Sequence, residues 1–307
     1  MKLFIKDVDI TESDQSIRAC NYIDYAGGHA DVLQITFNDT FDLWRTWGLS
    51  KNDKIRVVKD NIDTGDMYIS GISLNYGMYK LRALSTSEKA FNEISTIREN
   101  IKLYEICSEI SKEAGLQLST YDLVNYLYSY VERIDKKPLE YLEELLRREG
   151  YIQKVYNGKL IVYSEKKMEQ ALPGITITED DFISYPNFST SDADIVSSIE
   201  NTYQSGSTNF KSKVSSNLTG KKLRFYFPVS SLGEGERFCK GMLRYFNKYE
   251  YTGSGVITNN NIAAGVTINI DGNFANWSGV NFIYEVNHDL INDTKAIKFR
   301  KPIEGDY

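Results

Sequence analysis

Apolar and polar residues alternate most clearly in the last third of the chain. In residues 253–299, Val266, Ile268 and Ile270 alternate with Thr267 and Asn269, the period of a half-buried strand. Phe282, Tyr284 and Val286 repeat that period after a loop rich in Gly, Asn and Ser, and residues 295–299 form a third run after Asn292-Asp293. Three short antiparallel strands cannot bury a face alone, so they belong to a larger barrel or sandwich. Residues 1–86 carry the same signal. Leu3 and Ile5, then Val32, Ile35 and Phe37, Ile55 and Val57, Met67 and Ile69, and Leu74, Tyr79, Leu81 and Ala83 mark about six or seven short strands, spaced as in a barrel or sandwich.

The middle of the chain changes period. Ile94, Ile97, Ile101, Tyr104 and Ile110 recur at helical spacing and predict one amphipathic helix that stops near Gly115. The aromatics of residues 121–130 fit both a strand and a helix. A second helix starts at Pro138, carries Leu139, Leu142, Leu145 and Leu146 as its stripe, and ends at Gly150. Asn157-Gly158 between two apolar runs predicts a tight hairpin, since both turn positions need positive φ. Residues 173–185 read as a linker-like strand region and residues 192–206 as polar and loop-containing. Residues 223–227 predict a strand, and residues 234–249 a helix faced by Phe238, Met242, Tyr245, Phe246 and Tyr249. The expected fold is therefore α+β and mainly β: two antiparallel β-barrel domains flank a helix-plus-hairpin middle region. The domains expected are residues 1–86, a first barrel; 87–170, helices with a hairpin; and 171–307, a second barrel with an inserted helix and loops.

Composition narrows the function. Net charge is −6, shared along the chain: 11 basic against 13 acidic side chains in residues 1–90, 12 against 14 in 91–170, and 13 against 15 in 171–307. Phosphate-backbone binding needs clustered Lys and Arg, so specific nucleic-acid binding is not expected. The three cysteines, Cys20, Cys107 and Cys239, are widely separated, which fits free buried thiols in a reducing compartment. With two histidines, no CxxC and no HExxH, no metal site is expected. The N-terminal MKLFIKDVDI is charged throughout and does not read as a signal peptide, and no apolar run approaches the roughly 18 residues of a membrane helix. The 22 tyrosines fit half-exposed strands and equally protein interfaces. Trp44 and Trp47 lie in a loop flanked by charges, where they either plug a barrel end or anchor a partner.

Chemistry-bearing patterns are missing. There is no GxGxxG after a strand, no GxxxxGK[ST] and no nucleophile elbow, and Gly233-Glu-Gly235-Glu ahead of a helix would repel a phosphate. Glu140, Glu143, Glu144 and Glu149 share a helix, but Arg147 and Arg148 stand at pairing distance and point to surface ion pairs rather than a general acid. His288-Asp289 has no nucleophile beside it in sequence; His288 is expected to cap its strand or pack at an interface. No catalytic, cofactor-binding or metal residues are expected, and the chain reads as a building block rather than an enzyme.

Three segments carry a family resemblance. Residues 131–163, VERIDKKPLEYLEELLRREGYIQKVYNGKLIVY, resemble the middle signature of baseplate hub proteins of contractile phage tails. AAGVTINIDG and WSGVNFIYEVNHDL resemble the final barrel of those proteins, and ADVLQITFND with GDMYISGI resembles the first. The likeness is to hubs of the late-control-D type, related to the hub half of type VI secretion spike proteins, and it spans nearly the full length at the level of pattern. It implies a homotrimer whose two barrels per chain make a six-fold-like ring, joining the hexameric tail tube to a trimeric spike. The implied partners are the tail tube protein, a spike protein on a separate chain and other baseplate components, with no cofactor and no membrane association of its own. The implied location is the bacterial cytoplasm during assembly, then the baseplate of a phage or phage-tail-like bacteriocin. Interface candidates are Trp44, Trp47, Tyr284, His288 and Trp277. A cell-wall carbohydrate-binding module is the alternative, suggested by the helix–hairpin segment and the aromatics.

Overall fold

The computed structural model describes residues 1–11, 16–191, 194–258 and 262–303. The chain opens with β1 (Lys2–Ile5), β2 (Val8–Asp9), β3 (Ile17–Tyr25) and β4 (Val32–Asn38), then the single-turn helix α1 (Leu43–Thr46). Next come β5 (Lys54–Lys59), β6 (Ile62–Asp63), β7 (Met67–Asn75) and β8 (Met78–Leu84). The middle comprises β9 (Ile94–Lys102), α2 (Leu103–Glu113), β10 (Gln117–Tyr121) and β11 (Leu127–Lys136), followed by α3 (Pro138–Glu149), β12 (Tyr151–Tyr156), β13 (Lys159–Ser164) and α4 (Glu165–Glu169). The rest is β14 (Ile175–Thr178), β15 (Asn187–Thr190), β16 (Val196–Ser205), β17 (Thr208–Ser215) and β18 (Lys221–Phe225), then α5 (Leu232–Asn247), β19 (Tyr251–Ile257), β20 (Thr267–Asp271), β21 (Gly279–Asp289) and β22 (Thr294–Arg300).

The fold is mainly β, in several sheets, and among the described residues none closes into a barrel. The alternating strands from both ends of the chain merge into one sheet of 14 strands. Its order is β15-β19-β22-β21-β3-β4-β8-β7-β5-β1-β2, with β20 and β14 branching from β21 and β6 from β5. The junction is the antiparallel pairing of β21 with β3, from Glu285 opposite Tyr25 to Asp289 opposite Asn21. Each half has its own core. Leu3, Ile5, Ile35, Phe37, Val57 and Leu81 pack under the first, and Ile268, Ile270, Ile283, Val286, Ile297 and Phe299 under the second.

The middle region differs from its sequence pattern in one place and matches it in two. Ile94, Ile97 and Ile101 lie on strand β9, not on a helix, and α2 starts at Leu103. Their spacing of three and four mimics a helix, but β9 is held by long-range pairing with β11, which local periodicity cannot register. The true helical face is Leu103, Ile106, Cys107 and Ile110, and Tyr104 points outward. The ambiguous residues 121–130 resolve into the end of β10 and the start of β11. Helix α3 runs from Pro138 at its first turn to a left-handed Gly150. Asn157 (φ 47°) and Gly158 (φ 70°) form the hairpin turn between β12 and β13.

Further on, residues 196–205, within the stretch read as polar and loop-containing, pair with residues 208–215 as the hairpin β16–β17, with β18 alongside β16 in parallel. Val196 and Ile199 are buried against Cys239, Met242 and Leu243 of α5, so two apolar residues in a polar strand sufficed. Asp192 lies outside the described residues. Gly233 and Gly235 are inside α5 rather than ahead of it, with Ser231 as N-cap accepting from the Glu234 N–H. All three cysteines are free and buried.

Helices α3 and α5 cross at Gly241. A Cβ built there would lie 2.2 Å from the Arg148 carbonyl oxygen, so the close approach needs glycine. An interior helical Gly ordinarily costs about 1 kcal/mol against Ala, but here the clash reverses the sign. Gly241→Ala is expected to destabilise by about 1–3 kcal/mol, read as a lower urea midpoint. Gly233→Ala, where nothing lies within 4 Å, is expected to be neutral or stabilising.

Candidate assembly interface

Sequence singled out Trp44 and Trp47, and the structure gives them different places. Trp44 is buried, stacked on Phe37 at 3.8 Å, and its indole N–H donates to Ser16 Oγ at 3.1 Å. Trp47 leans on Trp44 at 5.3 Å and is partly exposed. Asp39 builds the turn that holds them: its carboxylate accepts from the Trp44 N–H at 2.8 Å and the Arg45 N–H at 3.3 Å. The Asp39 N–H donates to the Gly77 carbonyl at 2.7 Å, tying this loop to the β7–β8 turn. The two loops joined by that bond carry exposed apolar side chains: Phe41 (84 % exposed), Leu43 and Trp47 on one, and Leu74 and a fully exposed Tyr76 at the other. Sequence reasoning found the tryptophans but missed Phe41, Leu43, Leu74 and Tyr76.

Tyr284, Trp277 and His288 all lie on or near β21. Tyr284 is half-buried, edge-on to Tyr249 at 5.2 Å. Trp277 is half-buried between Phe188 and Tyr251, with its indole N–H buried and unpartnered among the described residues. His288 is 3 % exposed and stacks on Tyr22, its partner across the β21–β3 junction, at 5.7 Å. It packs between strands from opposite ends of the chain.

Beside that junction is a buried polar cluster. Lys154 of β12 donates to the Asp24 carboxylate and, at 2.7 Å, to the Tyr25 carbonyl, with Asp31 3.6 Å away. Asp31 accepts from the Tyr22 hydroxyl at 2.9 Å and the Tyr25 N–H at 3.0 Å, and Asp24 accepts from the Ala264 N–H at 2.8 Å. Lys154 thus ties the middle hairpin to the first half of the sheet, and Asp24 carries the link on to the second through Ala264. Burial raises Asp31 to about 7, with Lys154 opposing and Asp24 adding. Burial lowers His288 to about 4, against the pull of Asp24.

A second buried cluster joins α4, α5 and β22. Arg300 donates to Glu165 at 2.8 Å and to Glu169, Arg244 donates to Glu169, and Lys248 donates to Glu165 at 3.0 Å. Burial opposes ionisation of Glu165, yet Lys248, Arg300 and Arg244 together hold it down at about 2. Three of the four glutamates of α3 are also engaged. Glu143 pairs with Arg147 as expected, at 2.8 Å, while Glu144 pairs with Lys136. Glu149 takes Arg237 at 2.8 Å and the Tyr128 hydroxyl at 2.6 Å, and Arg148 stacks on Phe227 instead of pairing. Glu143, Glu144 and Glu149 thus act as structural partners, while Glu140 and Glu143 line a pocket beside Gly28 and His29. Among the described residues no group of three or more His, Cys, Asp or Glu side chains is placed to hold a metal, and no helix is long and apolar enough to cross a membrane.

No protein-family model matches the sequence, and no curated protein matches it. Solved structures do. A 43 kDa tail protein of prophage MuSo2 from Shewanella oneidensis superposes with a TM-score of 0.78 at 10% identity, over 98% of each chain. A tail protein from Neisseria meningitidis MC58 gives 0.74 at 10% identity, over 98% of this chain and 95% of that one. The E. coli c3393 protein, a type VI secretion component described as similar to T4 tail proteins gp27 and gp5, gives 0.61 at 12% identity, over 100% of this chain and 78% of that one. This chain has the fold of those proteins from end to end.

Asp31 and His288 titrate oppositely. Asp31, raised from 3.8, binds its proton more tightly folded than unfolded, so its contribution falls as pH rises from about 4 to about 7. His288, lowered from 6.5, contributes stability that rises over about pH 4 to 6.5. Asp31→Asn removes only the falling limb, so the variant is expected to gain stability relative to wild type as pH rises from 4 to 7; chemical denaturation across that range measures it. Glu169→Gln would leave Arg244 and Arg300 without their shared charge, and is expected to cost about 3–5 kcal/mol in the same assay.

Proposed function

We propose that this chain is a structural baseplate hub that joins the tail tube to the central spike of a contractile injection particle. The observation that carries this reading is the end-to-end likeness of fold to prophage tail proteins, spanning 98% of this chain and 98% of the MuSo2 protein. The two half-sheets correspond to the two ring-forming barrels of such a hub, and three copies present six of them to a hexameric tube. In this reading residues 1–86 and 171–307 supply the ring, and residues 87–170 brace it. The chain acts with no cofactor and no catalysis, assembles in the bacterial cytoplasm and ends in the baseplate of a phage or phage-tail-like particle.

The exposed apolar side chains of Phe41, Leu43, Trp47, Leu74 and Tyr76 support an assembly role. Large aromatics held rigidly at a surface are efficient interface anchors, since little entropy is lost when they are covered. We assign these side chains to the contact between neighbouring copies, with Trp44 as internal support and Tyr284 and Trp277 as further contacts on the second half-sheet. His288 serves from inside, by joining the halves.

Purified protein is expected to sediment as a trimer at micromolar concentration and to bind tail tubes assembled from the partner protein. Trp47→Ser and Tyr76→Ser should each weaken self-association by about 2 kcal/mol while leaving the urea midpoint unchanged. A chain that stays monomeric and ignores tubes would sink the hub reading.

A further inference from the structure

The buried cluster beside the β21–β3 junction holds more acid than base. Asp24 of β3 and Asp31, just ahead of β4, share one cation, Lys154 of β12. Asp24 and Asp31 are 5 % and 1 % exposed, and Lys154 makes no other ion pair among the described residues. Two carboxylates and one ammonium leave one negative charge in excess, which burial disfavours. Asp31 relieves it by holding a proton up to about pH 7. Burial also opposes the charge on Lys154, while Asp24 and Asp31 favour it, and the resting state is an ion pair. With Asp31 protonated, shifting the lysine proton to Asp24 changes no net charge. It leaves an amine against two carboxylic acids, a state that bulk water disfavours and that a site largely closed to water makes accessible.

Asp24 is set as an acyl group is set for attack. Its Oδ1 accepts from Lys154 Nζ, so the nitrogen stands beside the carboxyl carbon. Its Oδ2 accepts from the Ala264 N–H at 2.8 Å, a backbone donor placed where negative charge develops during attack. The Tyr25 carbonyl holds Nζ at 2.7 Å, and Asp31 Oδ2 stands 3.6 Å from it. Asp31 is itself fixed by the Tyr22 hydroxyl and the Tyr25 N–H. A cavity of about 510 Å³, lined by Tyr22, Asp24, Lys154 and His288 among others, adjoins the group.

We propose that Lys154 and Asp24 condense into an amide, a covalent crosslink between β12 and β3, with Asp31 as the proton carrier. Nζ of the free amine attacks the Asp24 carboxyl carbon while the Ala264 N–H steadies Oδ2. Asp31 gives its proton to Oδ1 and takes one from the nitrogen, so it ends as it began. The N–C bond forms, the C–Oδ1 bond breaks, and Oδ1 leaves as water into the cavity. No oxidant or cofactor enters. The bond spans a sequence separation of 130 residues, and a crosslink over so long a loop strongly restricts the unfolded chain.

Intact mass spectrometry of the denatured full chain is expected to give the sequence mass less one water. Proteolytic mapping should find one branched peptide that joins the segment of Asp24 to that of Lys154. Lys154→Met and Asp24→Ala should keep their full masses. Asp31→Asn keeps the side chain's shape; timed from synthesis in a cell-free reaction, it should crosslink at least about a hundredfold more slowly than wild type. Should that variant not fold, the wild-type mass and map decide alone. A wild-type chain at full mass, a water loss confined to one peptide, or Asp31→Asn crosslinking at the wild-type rate would overturn the proposal. None of these readouts involves trimer formation or tube binding, so the crosslink stands or falls apart from the hub reading.

Discussion

The pairing of β21 with β3 is the constraint on which the architecture depends. It brings residues 285–289 against residues 21–25 and turns two sets of terminal strands into one sheet. Without it, each half would present a long unpaired edge, a liability in any soluble protein. The junction is fixed in register by what lies on it. His288 faces Tyr22 and stacks on it, and the same tyrosine holds Asp31 by its hydroxyl. A slip of one residue would send these side chains to the opposite face.

The middle region then attaches to the junction by backbone and charge together. Lys154 reaches Asp24 and the Tyr25 carbonyl, the Tyr163 hydroxyl donates to the Ala26 carbonyl, and the Gly28 N–H donates to the Gln153 carbonyl at 3.1 Å. All of these fall at or just beyond the Tyr25 end of the shared ladder. At the far side, Arg300 at the end of β22 meets Glu165 and Glu169 of α4, so the last strand of the sheet is tied to the same region. Buried ion pairs contribute little net stability against an apolar equivalent, but they tolerate only one geometry. They therefore hold the relative position of the sheet and the middle region more firmly than apolar packing would.

Much of this was legible in the sequence wherever one segment decides its own structure. Pro138 and Gly150 bound a helix, Asn157-Gly158 makes a turn, and the alternation at Ile268, Phe282 and Ile297 makes strands. Ile94, Ile97 and Ile101 misled, because their helical spacing says nothing about partners 27 to 42 residues away. Val196 and Ile199 were hidden by the polar residues around them, although the burial of two side chains against α5 was enough to set the strand. The candidate interface was half visible. Trp44 and Trp47 announce themselves by residue type, whereas the loops that carry Phe41 and Tyr76 are joined only by a backbone hydrogen bond from Asp39 to Gly77.

A rigid frame and a sticky surface are complementary requirements. Exposed aromatic surface invites unwanted association, and it is tolerable when the backbone beneath it cannot rearrange to bury it internally. Here Phe41 and Tyr76 are prevented from folding back by the Asp39 turn, itself braced on Phe37 and Trp44 in the core.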